Sequence, residues 1–105
     1  MKVEVLHVAD CPNTAVITER LATLIAGRRD VTIVHRVIHD EAEAVALGMT
    51  GSPTLLLDGI DPFALTDQPA SLSCRLYTDE SGTISGAPSL TQLRTVLDGA
   101  VQAKI

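Results

Sequence analysis

The pattern of apolar and polar positions divides the first third of the chain into a strand, a helix and a second strand. Residues 3–8 begin as an alternation and end as an apolar run, which is typical of a strand inside a sheet. Asp10 or Asn13 is predicted to cap the helix that follows. That helix presents one apolar stripe, which consists of Ile17, Leu21, Leu24 and Ile25. β-branched residues dominate 31–38, so this segment is predicted to be the second strand.

The middle of the chain predicts a short helix and a third strand. Asp40 and Glu43 stand three residues apart, as in a capping box, and predict a helix over 41–47. Gly48 follows it and is a suitable helix terminator. A short apolar run at 54–57 then predicts the third strand.

A long connection separates the third strand from the rest of the chain. Residues 58–73 contain Pro62 and Pro69, which interrupt regular structure, so this segment is interpreted as an insertion loop. Residues 74–78 predict a fourth strand, and Ser89 is expected to cap a last amphipathic helix.

These elements together predict an α/β fold in the order β-α-β-α-β-β-α. Because a helix that joins neighbouring strands makes a right-handed crossover, the first two strands are expected to be parallel. The third and fourth strands are expected to pair antiparallel. The prediction is a single domain over residues 1–105, with a four-stranded mixed sheet flanked by three helices and an insertion at 58–73.

Composition narrows the function classes. A net charge of −5 argues against a nucleic-acid partner, since phosphate neutralisation needs clustered basic residues. The sequence has neither a signal-peptide pattern nor an apolar run long enough to cross a bilayer, so a cytoplasmic protein without a membrane partner is expected. His7, His35 and His39 lack metal-ligand spacing, and the two cysteines are far apart in sequence, so no metal site is predicted.

Two short motifs resemble those of the thioredoxin superfamily. Residues 11–14 read Cys-Pro-Asn-Thr between the first strand and the first helix, and residues 51–54 read Gly-Ser-Pro-Thr before the third strand. The resemblance implies a thioredoxin-like fold in which Pro53 is cis and faces Cys11 across a substrate groove. Thr14 stands where the second cysteine of the family's C-x-x-C motif would be, so the chain resembles the monothiol members.

The resemblance and the residues together give a set of candidate site residues. Cys11 is the expected nucleophile, because a helix N-terminus stabilises a thiolate, whereas the neighbouring Asp10 disfavours it. Thr14 is placed to support that thiolate or is an ordinary first-turn residue. Expected substrate contacts are Pro12, Ser52, Pro53 and, from the insertion, Phe63. The resemblance further implies that the Ser52 backbone pairs with an extended substrate.

Cys74 is interpreted as a small residue in a strand. It begins the predicted fourth strand, so it should lie about 13 Å from the end of the sheet that holds Cys11. A disulfide needs Cα atoms within about 7 Å, and the predicted geometry therefore opposes a bond between the two cysteines.

Three functional hypotheses follow. The first is a thiol-disulfide or glutathione-linked oxidoreductase that uses Cys11 and carries no bound cofactor, with external glutathione or thioredoxin as the reductant. Its substrate would be a protein or small-molecule thiol or disulfide. The second is a non-catalytic binding module that uses the 58–73 loop or a sheet edge. The third rests on a resemblance of residues 61–63 and 73–77 to proteins labelled as alkylmercury lyase relatives. It implies mercury handling by both cysteines. The oligomeric state is left open.

Overall fold

The computed structural model describes residues 1–102, so the last three residues of the predicted domain lie outside the described part. The chain is an α/β protein with three helices, as expected. Its elements are, in chain order, β1 (Lys2–His7), α1 (Pro12–Ile25), β2 (Thr32–Val37), α2 (Glu41–Leu47), β3 (Thr50–Ser52), β4 (Thr54–Leu57), β5 (Ser71–Cys74), β6 (Tyr77–Thr78), β7 (Ile84–Ser85) and α3 (Leu90–Gln102). None of the helices within residues 1–102 is long and apolar enough to cross a membrane.

The first strand is the centre of the main sheet, whose strand order is β2-β1-β4. β2 runs parallel to β1, which confirms that prediction, and β4 runs antiparallel to β1 on the other side. Val5 therefore lies between His35 of β2 and Leu55 of β4. Val3, Val5 and Leu6 are fully buried, and this explains why the N-terminal strand pattern ends in an apolar run.

Both faces of this sheet are covered. Because successive side chains of a strand point to opposite faces, neighbours such as Leu55 and Leu56 enter different cores. The core on the side of α1 and α3 includes Val5, Ile17, Leu21, Leu55, Leu93 and Leu97. The core on the side of α2 includes Leu6, Ile38, Ala44, Met49 and Leu56. The ends of β1 and β4 are therefore held in place from both sides.

Helices α2 and α3 begin as the sequence predicts. The Asp40 carboxylate accepts a hydrogen bond from the Glu43 amide at 2.8 Å, and Gly48 ends α2 with a positive φ of 84°. At α3, the Ser89 hydroxyl accepts a hydrogen bond from the Gln92 amide, and the Gln92 side chain accepts one from the Ser89 amide. Local capping chemistry is sufficient to place both helix starts.

The prediction that Asp10 or Asn13 caps α1 is wrong, because Cys11 is the N-cap residue. Asp10 is exposed and has a φ of 60°, so it belongs to the turn that leaves β1. Asn13 already lies inside the helix, which begins at Pro12. No described side chain caps this helix, so its first amides remain available to other groups.

The predicted four-stranded sheet is also wrong. The main sheet has three strands, and the expected fourth strand at 74–78 is divided between β5, which ends at Cys74, and β6, which begins at Tyr77. β5 pairs in parallel with β3, whereas β6 pairs antiparallel with β7. The 58–73 segment is correspondingly not a plain loop, because β5 occupies its end.

The break between β5 and β6 follows from the burial of Arg75, which is only 4% exposed. Its guanidinium donates to the Asp61 carboxylate at 2.7 Å, to the Phe63 carbonyl at 2.7 Å and to the Thr50 hydroxyl at 3.1 Å, and it lies 4.8 Å from the centre of the Tyr77 ring. A buried cation is stable only with such partners. The chain therefore follows Arg75 inward and does not continue as a strand.

We expect the Asp61–Arg75 ion pair to dominate the stability of this region. Asp61→Asn should lower the free energy of unfolding by about 3 kcal/mol, because it leaves the Arg75 charge buried without its counterion. Urea unfolding followed by circular dichroism measures this loss. The matched control is Asp30→Asn, which removes the exposed Arg28–Asp30 pair and should change stability little. Equal losses in the two variants would contradict the argument.

Candidate thiol site at the start of the first helix

Cys11 lies where the turn after β1 meets the first residue of α1, and its side chain is partly exposed. The Thr14 amide donates to the Cys11 carbonyl at 3.2 Å and so closes the first turn of the helix. The backbone amides of Asn13 and Thr14 also lower the pKa of the Cys11 thiol. An N-terminal helix turn with unpaired amides favours a negative charge, so the backbone alone makes this a suitable place for a thiolate.

Ser52 brings a hydroxyl to the same sulfur from a different part of the chain. Its side chain is 1% exposed, and its oxygen accepts a hydrogen bond from the Val8 amide at 3.1 Å. A hydroxyl has only one hydrogen to donate. Because Val8 uses an acceptor position of this hydroxyl, its hydrogen remains available to a thiolate on Cys11, and the Ser52 side chain lowers the pKa of that thiol.

The Thr14 side chain approaches the sulfur from within α1. Its hydroxyl oxygen is buried and has no regular hydrogen-bond partner among the described residues, yet it is close enough to Cys11 to lower the pKa of that thiol. A buried hydroxyl without a partner is costly in a neutral setting. Ionisation of the thiol would give the Thr14 hydroxyl an acceptor.

The balance of these effects lowers the pKa of Cys11 below the ordinary thiol value. Partial burial raises the pKa, but the side chains of Ser52 and Thr14 and the backbone amides of Asn13 and Thr14, which favour the charged sulfur, lower it by more. The expected opposition from Asp10 is not among the causes. Asp10 is exposed in the left-handed turn before Cys11, and an exposed charge acts only weakly on its neighbours.

The Ser52–Pro53 peptide bond is cis, which confirms the prediction made for Pro53. Pro53 is buried, whereas Pro12 is exposed beside Cys11 at the start of the helix. The main-chain oxygens of this turn already have partners within the chain. The Ser52 carbonyl accepts from the Arg75 amide at 3.0 Å, and the Pro53 carbonyl accepts from the Tyr77 hydroxyl at 2.5 Å.

Phe63, the expected substrate contact of the insertion, lies in a second region. Its ring packs edge-on against Tyr77, with 5.5 Å between ring centres, and its carbonyl accepts from Arg75. Phe63 lines two neighbouring cavities of about 350 and 270 Å³ that lie between the insertion and α3. Its link to the Cys11 site passes through Tyr77, which bonds the Pro53 carbonyl.

The sequence-based position of Cys74 needs correction. Cys74 was expected to begin a strand and to lie far from the active end of the sheet, but it ends β5 and lies opposite Ser52 in the β3–β5 ladder. Both cysteines are free thiols, and Cys74 is exposed. The premise of the 13 Å separation is therefore wrong.

The described contacts of the histidines are with groups other than the Cys11 sulfur. The His7 and His35 rings face each other edge-on with 6.3 Å between their centres, and His39 pairs with Glu43 at 2.8 Å. Within residues 1–102, no three His, Cys, Asp or Glu side chains form a group that could hold a metal ion.

Two features of this site were missed in the sequence. The sequence did not indicate that the Ser52 side chain lowers the pKa of Cys11. Arg75 was treated as part of a strand, although it anchors the segment behind Pro53 through Tyr77 and Ser52. A signal for Arg75 was present, since a charged residue among apolar strand positions requires a buried partner. Asp61 in the preceding insertion was a candidate for that partner.

Comparison with protein-family models, with curated proteins and with the solved structures found no match to this chain.

The first expectation for this site concerns the ionisation of Cys11. In a Cys74→Ser background, the pH dependence of Cys11 alkylation should give a pKa below the value of about 8.5 for an unperturbed thiol. Thr14→Val should raise this pKa, because it removes a hydroxyl that stabilises the thiolate. It breaks no other hydrogen bond, since the Thr14 hydroxyl has no other partner among the described residues.

The matched control is Thr23→Val, which removes an exposed hydroxyl of the same helix that donates to the Glu19 carbonyl. It should leave the Cys11 pKa unchanged. A pKa at or above 8.5 in the unmodified site would contradict the stabilised thiolate.

Proposed function

We propose that this protein is a thioredoxin-like thiol-disulfide oxidoreductase whose nucleophile is Cys11. The observation that carries the proposal is the position of Cys11 at the N-cap of α1, where potential donors surround its sulfur. Two backbone amides of α1, the buried Ser52 hydroxyl and the Thr14 hydroxyl each lower the pKa of the thiol. Donors aimed at a thiol favour its thiolate, which is the form that attacks disulfides. The partial exposure of Cys11 leaves the sulfur accessible to a substrate.

The reaction consists of two exchanges. The Cys11 thiolate attacks one sulfur of a substrate disulfide, so a Cys11–substrate disulfide forms and the other substrate sulfur leaves as a thiolate. A second thiol, of the glutathione class, then attacks the mixed disulfide and releases Cys11. Ser52 and Thr14 stabilise the Cys11 thiolate before the first exchange and after the second. In the net exchange, one substrate sulfur is released as a thiol and the other forms a new disulfide with the external thiol. A second external thiol must attack that new disulfide to complete the reduction of the substrate.

The arrangement around Cys11 supports the thioredoxin-like assignment. β1, α1 and β2 form a parallel unit, and β4 returns antiparallel beside β1 directly after the cis Pro53. The resemblance to the thioredoxin superfamily implies this arrangement of the strands and the helix around Cys11 and Pro53. Thr14 in place of a second cysteine favours a monothiol cycle, and a reducing cytoplasm would supply the external thiol.

The groove beside Phe63 favours a second candidate, a binding module. Exposed Leu65 and Leu76 flank a cavity of about 350 Å³ whose lining includes Phe63 and Tyr77. Cavities of this size, lined by aromatic and aliphatic side chains, are typical of ligand sites. A binding function of this groove would survive Cys11→Ser, whereas thiol transfer would not.

Thiol transfer from a small disulfide, with glutathione as the reductant, tests the proposed function. Cys11→Ser should abolish the activity, because an alcohol does not replace the thiolate as nucleophile. At pH values below the ordinary thiol pKa, the Thr14→Val variant should react more slowly than the unmodified protein. Its rate should approach that of the unmodified protein as the pH rises, because its Cys11 thiolate forms at higher pH. A Cys11→Ser variant with unchanged activity would refute the proposal.

A further inference from the structure

The edge of β3 beside the cis-proline turn is already filled by the chain itself. β5 pairs in parallel with β3, the Arg75 amide bonds the Ser52 carbonyl, and the Ser71 amide bonds the Met49 carbonyl. An extended substrate joins a sheet edge by such main-chain bonds. Because β5 makes them here, the expected pairing of a substrate with the Ser52 backbone is blocked on this edge.

The register of this ladder brings a second sulfur to Ser52. Thr50 lies opposite Ser71 and Ser52 lies opposite Cys74, so two steps along β3 correspond to three along β5. This bulge inserts one residue into β5 and changes which side chain lies beside Ser52. Without it, Ser73 would occupy the position that Cys74 holds.

Cys11 and Cys74 therefore border the same serine from two directions. The Ser52 side chain is close enough to the Cys11 sulfur to lower the pKa of that thiol. The ladder partner of Ser52, Cys74, lies about one strand spacing away, roughly 5 Å between Cα atoms. Residues paired across a ladder carry their side chains on the same face. The Cys74 side chain is thus directed to the face from which Ser52 reaches Cys11, and it is exposed.

We propose that Cys74 is the resolving thiol of Cys11, delivered by a tethered strand in place of a neighbouring cysteine in the motif. The proposal rests on the proposed function, since it needs a mixed disulfide on Cys11, and it replaces the second exchange described there, in which an external thiol attacks that disulfide. The Cys74 thiolate attacks the Cys11 sulfur of that mixed disulfide, a Cys11–Cys74 disulfide forms, and the substrate sulfur leaves as a thiolate. Two external thiols of low molecular weight then reduce the internal disulfide and are themselves joined as a disulfide.

This role also selects the substrate class. With the Ser52 and Pro53 carbonyls bonded within the chain, the site offers a partly exposed sulfur without the main-chain pairing that an extended peptide would use on this edge. Small disulfides, such as glutathione disulfide, need only access to the Cys11 sulfur and no main-chain pairing with the protein. They are the substrates that this geometry admits.

The test is to add glutathione disulfide to the reduced protein, stop the reaction with acid and identify the products by intact mass and non-reducing peptide mapping. The unmodified protein should accumulate the Cys11–Cys74 disulfide. Cys74→Ser should stop at a Cys11–glutathione disulfide. The lifetime of that adduct should be about tenfold longer, or more, than its lifetime in the unmodified protein. In the unmodified protein, the intramolecular Cys74 thiol attacks the adduct at high effective concentration.

The control moves the second thiol by one residue in the double variant Ser73→Cys with Cys74→Ser. Its cysteine should close the internal disulfide far more slowly, because successive residues of a strand point to opposite faces. Equal closure by this variant, a persistent Cys11 adduct in the unmodified protein, or a disulfide-linked dimer through Cys74 would overturn the resolving role. Absence of any Cys11 adduct in Cys74→Ser would instead refute the proposed function.

Discussion

The buried guanidinium of Arg75 joins three separate segments beneath the cis-proline turn. It bonds Asp61 and the Phe63 carbonyl in the insertion, the Thr50 hydroxyl in β3, and the face of the Tyr77 ring. Such a charge is stable in the interior only when its donors are satisfied together. The segments therefore adopt their positions as a group.

The candidate thiol site is connected to Arg75 by a few hydrogen bonds. Tyr77 donates to the Pro53 carbonyl, and the Arg75 amide holds the Ser52 carbonyl, so the turn that carries the Ser52 hydroxyl is fixed from behind. Gly51 shows how closely the two segments pack, because a Cβ at this position would lie 2.7 Å from the Cβ of Arg75. At a φ of 127°, only glycine fits this approach comfortably. The Ser52 hydroxyl is thus preorganised to meet the start of α1.

The features that the sequence predicted correctly are those decided by neighbouring residues. Asp40 with Glu43, Ser89 with Gln92, and the apolar stripe of α1 each operate within about one or two turns of helix, and the structure contains all three. The cis state of Pro53 followed from the resemblance of two motifs. From these features, the sequence predicts that Cys11 lies at a helix start and faces Pro53.

The features that the sequence did not reveal depend on long-range partners. The predicted fourth strand is interrupted because Arg75 forms an ion pair with Asp61. The pattern of apolar residues within 74–78 cannot indicate a partner that lies outside this segment. The position of Cys74 depends on a bulge in β5, and strand register is invisible to a pattern of apolar residues that lacks strong alternation. The prediction that Asp10 caps α1 fails for a local reason. Its positive φ places Asp10 in the turn after β1, and Cys11 is the N-cap residue.

The central claim is that the surroundings of Cys11, and not its exposure, make it the reactive thiol. A competition between the two cysteines of one molecule tests this most directly, with substoichiometric iodoacetamide at neutral pH and peptide mass spectrometry to locate the first label. The account predicts that Cys11 is labelled before the more exposed Cys74, because its lowered pKa gives it more thiolate. Preferential labelling of Cys74, as exposure alone would give, would contradict the account.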